Sequence, residues 1–251
     1  MSTLIIIPTY NERDSLPVTL ASIHAYAPHA DVLIADDNSP DGTGQWADEK
    51  AAEDSRIHVL HRTEKAGLGP AYVAGFRWAL ERDYAIICEM DADGSHRGKD
   101  LPLLLEAVEN GADLAIGSRW VPGGAVVNWP RNRHVLSRGA NIYVDVLMGM
   151  GVKDATAGFR AFRRSTLEQL DLGQIASQGY CFQIDMTKRV YDAGLQIAEV
   201  PVVFVERELG ESKMHGSIIR EAVVRVAQWG AEHRLAQARR LLTQVSGGRN
   251  G

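Results

Sequence analysis

The sequence has only two cysteines in 251 residues, Cys88 and Cys181. So few exclude a disulfide framework and any metal site built from paired thiolates. Cys88 falls inside the apolar run Tyr84-Ala-Ile-Ile-Cys-Glu-Met90, where it reads as a small buried side chain. Long hydrophobic runs are missing as well: no stretch approaches the ~20 apolar residues that cross a bilayer. The opening Met-Ser-Thr-Leu-Ile-Ile-Ile-Pro is too short for a signal peptide. The expectation is a cytoplasmic protein whose membrane contact is peripheral, on the cytoplasmic face. There is no excess of positive charge, the formal net charge being −5, so nucleic acid is not expected as a partner. Finally, no glycine-rich turn follows the first apolar run, which argues against a dinucleotide-binding oxidoreductase.

What is present is a chain that is 45% hydrophobic and 24% charged, the balance of a globular protein with a real core. Short apolar runs at Leu4–Ile7, Val32–Ala35, Ile57–Leu60, Ala85–Met90 and Leu114–Ile116 read as buried strands. Helical spacing lies between them, as in Leu16, Leu20, Ile23 and Ala27, and again in Tyr72, Phe76, Ala79 and Leu80. Such alternation predicts an α/β fold, a mostly parallel sheet with helices on both faces. Further strands are expected over Gly158–Arg163 and over Gln196–Val205, the latter near an edge because of Pro201. From Ser217 to Val245 the pattern is helical, apolar on one side and sprinkled with arginines. The chain thus divides into a domain over 1–213 and a basic amphipathic helix with its tail over 214–251. From Arg207 onward there are eight Lys and Arg against four Glu, net +4, which leaves −9 on the rest. A basic tail on an acidic body suits a local anionic partner, and a lipid surface is one candidate.

In a parallel sheet, ligands sit beyond the carboxyl ends of the strands. After the first strand comes Pro8-Thr9-Tyr10-Asn11-Glu12. An aromatic ring beside an amide and a carboxylate suits a nucleoside, although an ordinary strand-to-helix turn would use the same residues. After the second comes Asp36-Asp37-Asn38-Ser39-Pro40-Asp41-Gly42-Thr43. Thr43 is expected to cap a helix. The adjacent carboxylates Asp36 and Asp37 require a donor, which a base or a ribose would supply. After the fourth strand comes Met90-Asp91-Ala92-Asp93-Gly94-Ser95-His96. Residues i and i+2 of an extended chain share a side, so Asp91 and Asp93 converge. Such a pair needs a cation or donors. Mg²⁺ or Mn²⁺ prefers these oxygens and keeps positions open for phosphates.

Basic residues gather later in the chain. Arg119 ends the fifth strand; Arg131, Arg133, His134 and Arg138 follow in quick succession around Ser137; Arg160, Arg163 and Arg164 come next, then Arg207 and Lys213. Their separation from the acidic loops points to a second phosphate, distinct from that of the donor.

Together, Pro8-Thr-Tyr-Asn-Glu12, Asp36-Asp-Asn-Ser-Pro-Asp-Gly-Thr43, Lys65-Ala-Gly-Leu-Gly69, Asp91-Ala-Asp93, Gly117-Ser-Arg119, Asp154-Ala-Thr-Ala-Gly-Phe-Arg160 and Gly210-Glu-Ser-Lys213 resemble the dolichol-phosphate (polyprenol-phosphate) mannose synthases. These are inverting glycosyltransferases of the GT-A fold. The resemblance implies GDP-mannose as donor and a polyprenyl monophosphate as acceptor. It implies nucleotide contacts from Pro8, Tyr10, Asn11, Glu12, Asp36, Asp37, Lys65, Gly67 and Asp91. Asp91 and Asp93 match the metal positions, with Mg²⁺ or Mn²⁺ as cofactor. Ser95 stands where many relatives carry a glutamine, and water is an alternative ligand there. Arg119, Arg131, Ser137, Arg160, Arg207 and Lys213 match or adjoin the phosphate-facing positions. Asp154 is the carboxylate to assist catalysis along with Asp91 and Asp93, or else an orienting partner for Arg160. Some relatives carry transmembrane helices, so membrane access here is expected from the basic helix, an integral-membrane partner protein, or both. Two rivals are a glucosyltransferase using UDP-glucose and a non-catalytic nucleotide-binding regulator. The Asp91/Asp93 pair and the arginines weigh against the second.

Overall fold

The computed structural model describes residues 1–175, 179–206 and 223–231. Seven strands form the main sheet in the order β3-β2-β1-β4-β7-β5-β8. They are β1 (Thr3–Thr9), β2 (Asp31–Asp36), β3 (Ile57–His61), β4 (Ile86–Glu89), β5 (Leu114–Ser118), β7 (Arg160–Arg163) and β8 (Ile197–Pro201). All neighbours run parallel except β7, which is antiparallel to both β4 and β5. Two short strands, β6 (Ala125–Val127) and β9 (Val203–Val205), pair in parallel as a separate ribbon.

The apolar runs are continuous because both faces of the sheet are covered. Leu4 and Ile6 enter one core, Ile5 and Ile7 the other, following the two-residue period of a strand. On the first face lie α3 (Leu68–Leu80), α5 (Arg131–Met148) and α7 (Gly179–Asp192), which contribute Tyr72, Phe76, Val144, Met148, Phe182 and Met186. On the second lie α1 (Leu16–Tyr26), α2 (Thr43–Glu53) and α4 (Leu101–Glu109), with Leu20, Ile23, Trp46 and Leu104. The short helix α6 (Arg164–Gln169) follows β7 directly. Gly75 lets α3 press on β1: a Cβ there would lie 2.7 Å from the Ile6 side chain.

Three expectations change. The strand expected over Gly158–Arg163 begins only at Arg160, leaving 154–159 as a loop. Because β7 is reversed, that loop lies at the carboxyl ends of the parallel strands. The run Gln196–Val205 breaks at Val202 between two strands: Pro201 ends β8, an edge strand as its proline suggested, and β9 joins the ribbon. Thr43 does not cap α2 by its own side chain; Asp41 accepts its N–H (3.0 Å) and its hydroxyl (2.6 Å). Of the long C-terminal helix, 223–231 is helical and packs on α5, with Val226 in the first core and Tyr143 Oη donating to the Val223 carbonyl at 3.0 Å. The boundary at 213/214 and the remainder of that helix lie outside the described residues.

Candidate active site

Loops following β1, β2 and β4, with loop 154–159, meet at one end of the sheet. In the first, Asn11 adopts a left-handed φ of 57°, as does Asn38 (55°) in the second; asparagine tolerates this conformation better than most residues. The two loops are stitched by Asn11 N–H to Ser39 Oγ (3.1 Å) and Glu12 N–H to Thr43 Oγ1 (3.1 Å). Asp36 is buried and accepts from Thr9 Oγ1 (2.8 Å) and from Ser39 through N–H (3.0 Å) and Oγ (2.6 Å). Asp37, also buried, pairs with Arg62 at 2.8 Å. Burial raises its pKa, against the pull of Arg62 and of the Gly67 and Ala66 N–H groups. The donors that the adjacent carboxylates require thus come from the protein itself, and Asp36 is a framework residue. Tyr10 and Lys65 form the rim, with Lys65 Nζ 4.0 Å from the ring centre. Glu12 accepts from Ser15 Oγ at 2.8 Å, and Pro8, next to last in β1, pairs opposite Ala35.

After β4, Gly94 takes φ 75° and turns the chain sharply. Asp93 accepts from Ser95 through both N–H (3.0 Å) and Oγ (2.5 Å). The Ser95 hydroxyl is buried and donates to Asp93, orienting that carboxylate. Asp91 keeps 35% of its side chain exposed, and its N–H donates to His96 Nδ1 at 3.1 Å. An acceptor Nδ1 belongs to a neutral imidazole; burial lowers the His96 pKa to about 4 and so keeps it neutral. Among the described residues, no group of three or more His, Cys, Asp or Glu could hold a metal. Two carboxylates alone suit a cation that keeps most positions for water and phosphate oxygens, the habit of Mg²⁺.

Opposite stands the basic side. Arg119 is buried at the end of β5, and Asp154 accepts from its Nε (2.7 Å), Nη2 (2.6 Å) and backbone N–H (2.9 Å). Thr156 Oγ1 accepts from Nη2 as well (2.9 Å). Asp154 is fully buried in this arrangement, so it is the fastener of Arg119, neither an assisting base nor the partner of Arg160. Arg160 is also fully buried, donating to three main-chain carbonyls. It therefore cannot reach an acceptor phosphate. Two guanidinium groups share aromatic rings with Arg119: Arg133 lies with it over Trp129 (4.4 and 5.3 Å) and Phe204 (5.9 and 5.7 Å), and Arg138 lies with it over Trp120 (5.4 and 5.7 Å). Glu206 pairs with Arg133. Arg131 is exposed at the first position of α5, and Ser137 sits half-buried one turn after Arg133. Arg207 and Lys213 lie outside the described residues. Phe204 joins the two sides, since its ring also meets His96 at 5.5 Å.

The profile of one family, glycosyl transferase family 2, matches residues 4–171. The chain belongs to glycosyl transferase family 2. Its relatives include a polyprenol monophosphomannose synthase of Mycolicibacterium smegmatis, 58% identical over 238 residues that cover 94% of this chain and 90% of that one. An undecaprenyl-phosphate mannosyltransferase of Micrococcus luteus is 58% identical over 230 residues, 92% of this chain and 94% of that one. Among solved structures, glucosyl-3-phosphoglycerate synthase from Mycobacterium tuberculosis, in complex with Mn²⁺, uridine diphosphate and phosphoglyceric acid, superposes with a TM-score of 0.68. That match is at 17% identity and covers 91% of this chain and 78% of that one. The glycosyltransferase therefore has the GT-A fold expected from its motifs.

His96, Glu206 and the Trp129–Phe204 platform were not singled out by the sequence. His96 had one signal, its place directly after Asp91–Ser95; Phe204 and Glu206 had none, because their partners His96 and Arg133 lie 108 and 73 residues away in the sequence.

Proposed function

We propose that this glycosyltransferase moves mannose from GDP-mannose to a polyprenyl monophosphate, with inversion at the anomeric carbon. The observation that carries this reading is the opposition, at one end of the sheet, of the Asp91/Asp93 loop to the Arg119–Arg133 pair across Phe204. Loops 8–12 and 36–39 with Lys65 and Gly67 form the nucleoside wall, Tyr10 offering a ring to the base. Asp91 and Asp93 would hold Mg²⁺ or Mn²⁺. Such an ion, when bound, neutralises charge on the departing nucleoside diphosphate.

Arg119 and Arg133 present N–H donors to the acceptor phosphate, whose oxygen attacks the sugar C1. The C1–O bond to the β-phosphate breaks as the new C1–O bond forms, and the nucleoside diphosphate leaves with the electron pair. A phosphate monoester is already ionised near neutral pH, so no proton need be removed. That agrees with Asp154, whose oxygens are taken by Arg119, Asn141 and Thr156.

The prenyl chain requires a membrane nearby. No helix among the described residues is long and apolar enough to cross one. α5 exposes Val135, Leu136, Ile142 and Val146, with Arg131 and Arg138 also on its exposed surface. Exposed apolar residues at i, i+7 and i+11 beside cationic ones suit a peripheral helix at an anionic lipid surface. This reading places membrane contact at α5, with Val223 and Val224 adjoining it, beside any contribution from the C-terminal residues. An integral-membrane partner would meet the same face.

The test is transfer of radiolabel into organic-extractable lipid, with GDP-mannose and UDP-glucose supplied in parallel. Label from GDP-mannose alone is the expected result. Label from UDP-glucose alone would reject the mannose donor, and label from neither would leave only nucleotide binding.

A further inference from the structure

Arg160 carries a charge into the centre of the molecule, where a guanidinium is costly unless its donors are met. They are met by carbonyls from two separate elements. Nε donates to Ala157 O (2.7 Å) and Nη2 to Ala155 O (2.8 Å), both in loop 154–159. Nη1 donates to Gln183 O (2.9 Å) in α7.

The loop so gripped faces both halves of the site. Its first residues, Asp154 and Thr156, fasten Arg119. Its last, Gly158 and Phe159, floor the acidic loop. A Cβ on Gly158 would lie 3.9 Å from Asp91 Oδ1, and Phe159 stacks on His96 with ring centres 5.0 Å apart. The second element reaches the same loop by another path. Gln183 Nε2 donates to Glu89 Oε2 at 2.7 Å, and Glu89 stands two residues before Asp91 on β4, opposite Arg160 in the ladder.

We propose that Arg160 is a positioning residue that fixes the separation between the donor-side carboxylate Asp91 and the acceptor-side guanidinium Arg119. It does so by clamping loop 154–159 to α7 and, through Gln183, to β4. The inference rests on the assignment of those two sides above. A planar fork holds three carbonyls in one fixed arrangement; a lysine ammonium in the same place lacks that geometry. In-line displacement tolerates little misalignment, about 1 Å of error costing on the order of 100-fold in rate. Each substrate would still find its own half of the site after the clamp is loosened, but the reacting atoms would no longer be aligned.

The experiment compares wild type with Arg160→Lys. Nucleotide-binding sites are titrated calorimetrically with GDP and Mn²⁺, and turnover is expressed per titrated site. The expected result is a loss of about 100-fold in kcat per site, with donor Kd and acceptor KM within about threefold of wild type. A purely structural Arg160 would lower Tm and the number of titrated sites but leave turnover per site unchanged, and that outcome overturns the proposal. A wild type that titrates with nucleotide but transfers no sugar would instead sink the functional assignment. Should the lysine variant not fold, hydrogen exchange on wild type decides. GDP with Mn²⁺ should slow exchange at the amides of 155–160 and of Arg119. Protection confined to 8–12, 36–37 and 91–96 would overturn the clamp.

Discussion

Asp154 grips Arg119 at three points, taking Nε at 2.7 Å, Nη2 at 2.6 Å and the backbone N–H at 2.9 Å. Both residues are buried, and the carboxylate compensates the charge of Arg119 from one side. Fork-to-carboxylate pairing of this kind fixes direction as well as charge. It makes the buried cation a fixed element of the site.

Asp154→Asn is therefore expected to damage both stability and acceptor use. Leaving a buried cation without its counter-charge costs about 3–5 kcal/mol, to be read as a fall in thermal midpoint. Acceptor KM should rise while nucleotide affinity, measured separately, stays near wild type. An unchanged acceptor KM would show that Arg119 does not meet the phosphate.

Arg133 and Arg131 are two residues apart on α5, yet only Arg133 shares the Trp129 and Phe204 rings with Arg119. Hydrogen bonds to charged groups are worth about 1.5–3 kcal/mol each. Arg133→Ala should raise acceptor KM by roughly 10- to 100-fold, and Arg131→Ala by far less. Equal effects of the two substitutions would place the phosphate away from the aromatic platform.

In the loop after β4, Asp93→Ala and Ser95→Ala separate a ligand from its support. Asp93→Ala should abolish metal-dependent transfer with the fold retained. Ser95→Ala removes the donor that orients Asp93, and partners of this kind are worth about 10- to 100-fold in metal affinity or activity. Raising Mn²⁺ should restore most of the turnover lost by Ser95→Ala and none of that lost by Asp93→Ala. Rescue of both, or of neither, would contradict these roles.

The sheet was legible in the sequence because strands covered on both faces are unbroken apolar runs, as in Leu4–Ile7 and Val32–Ala35. The acidic pair was legible because it follows such a run directly. The basic half was not. Which arginine faces the site depends on burial and on distant partners: Arg160 and Arg119 look alike in sequence, but one is held by three carbonyls and the other by a carboxylate. The reversal of β7 carries no local signal either. Yet that reversal is what brings Asp154 and Thr156 to the end of the sheet where Asp91 lies.

The exposed face of α5 gives the remaining test. Ile142 and Val146 are 58% and 65% exposed, so replacing them removes little packing from the core. Ile142→Asp with Val146→Asp should leave the thermal midpoint almost unchanged, since surface substitutions of this kind usually shift stability by about 0.5 kcal/mol or less. Binding to anionic vesicles should fall steeply, because two apolar anchors are lost and two negative charges are gained against a negative surface. Transfer to a short, water-soluble prenyl phosphate should persist, while transfer to a long-chain acceptor embedded in vesicles declines with the binding. If both acceptors lose activity together, α5 shapes the catalytic centre. If neither does, the membrane is met elsewhere on the protein.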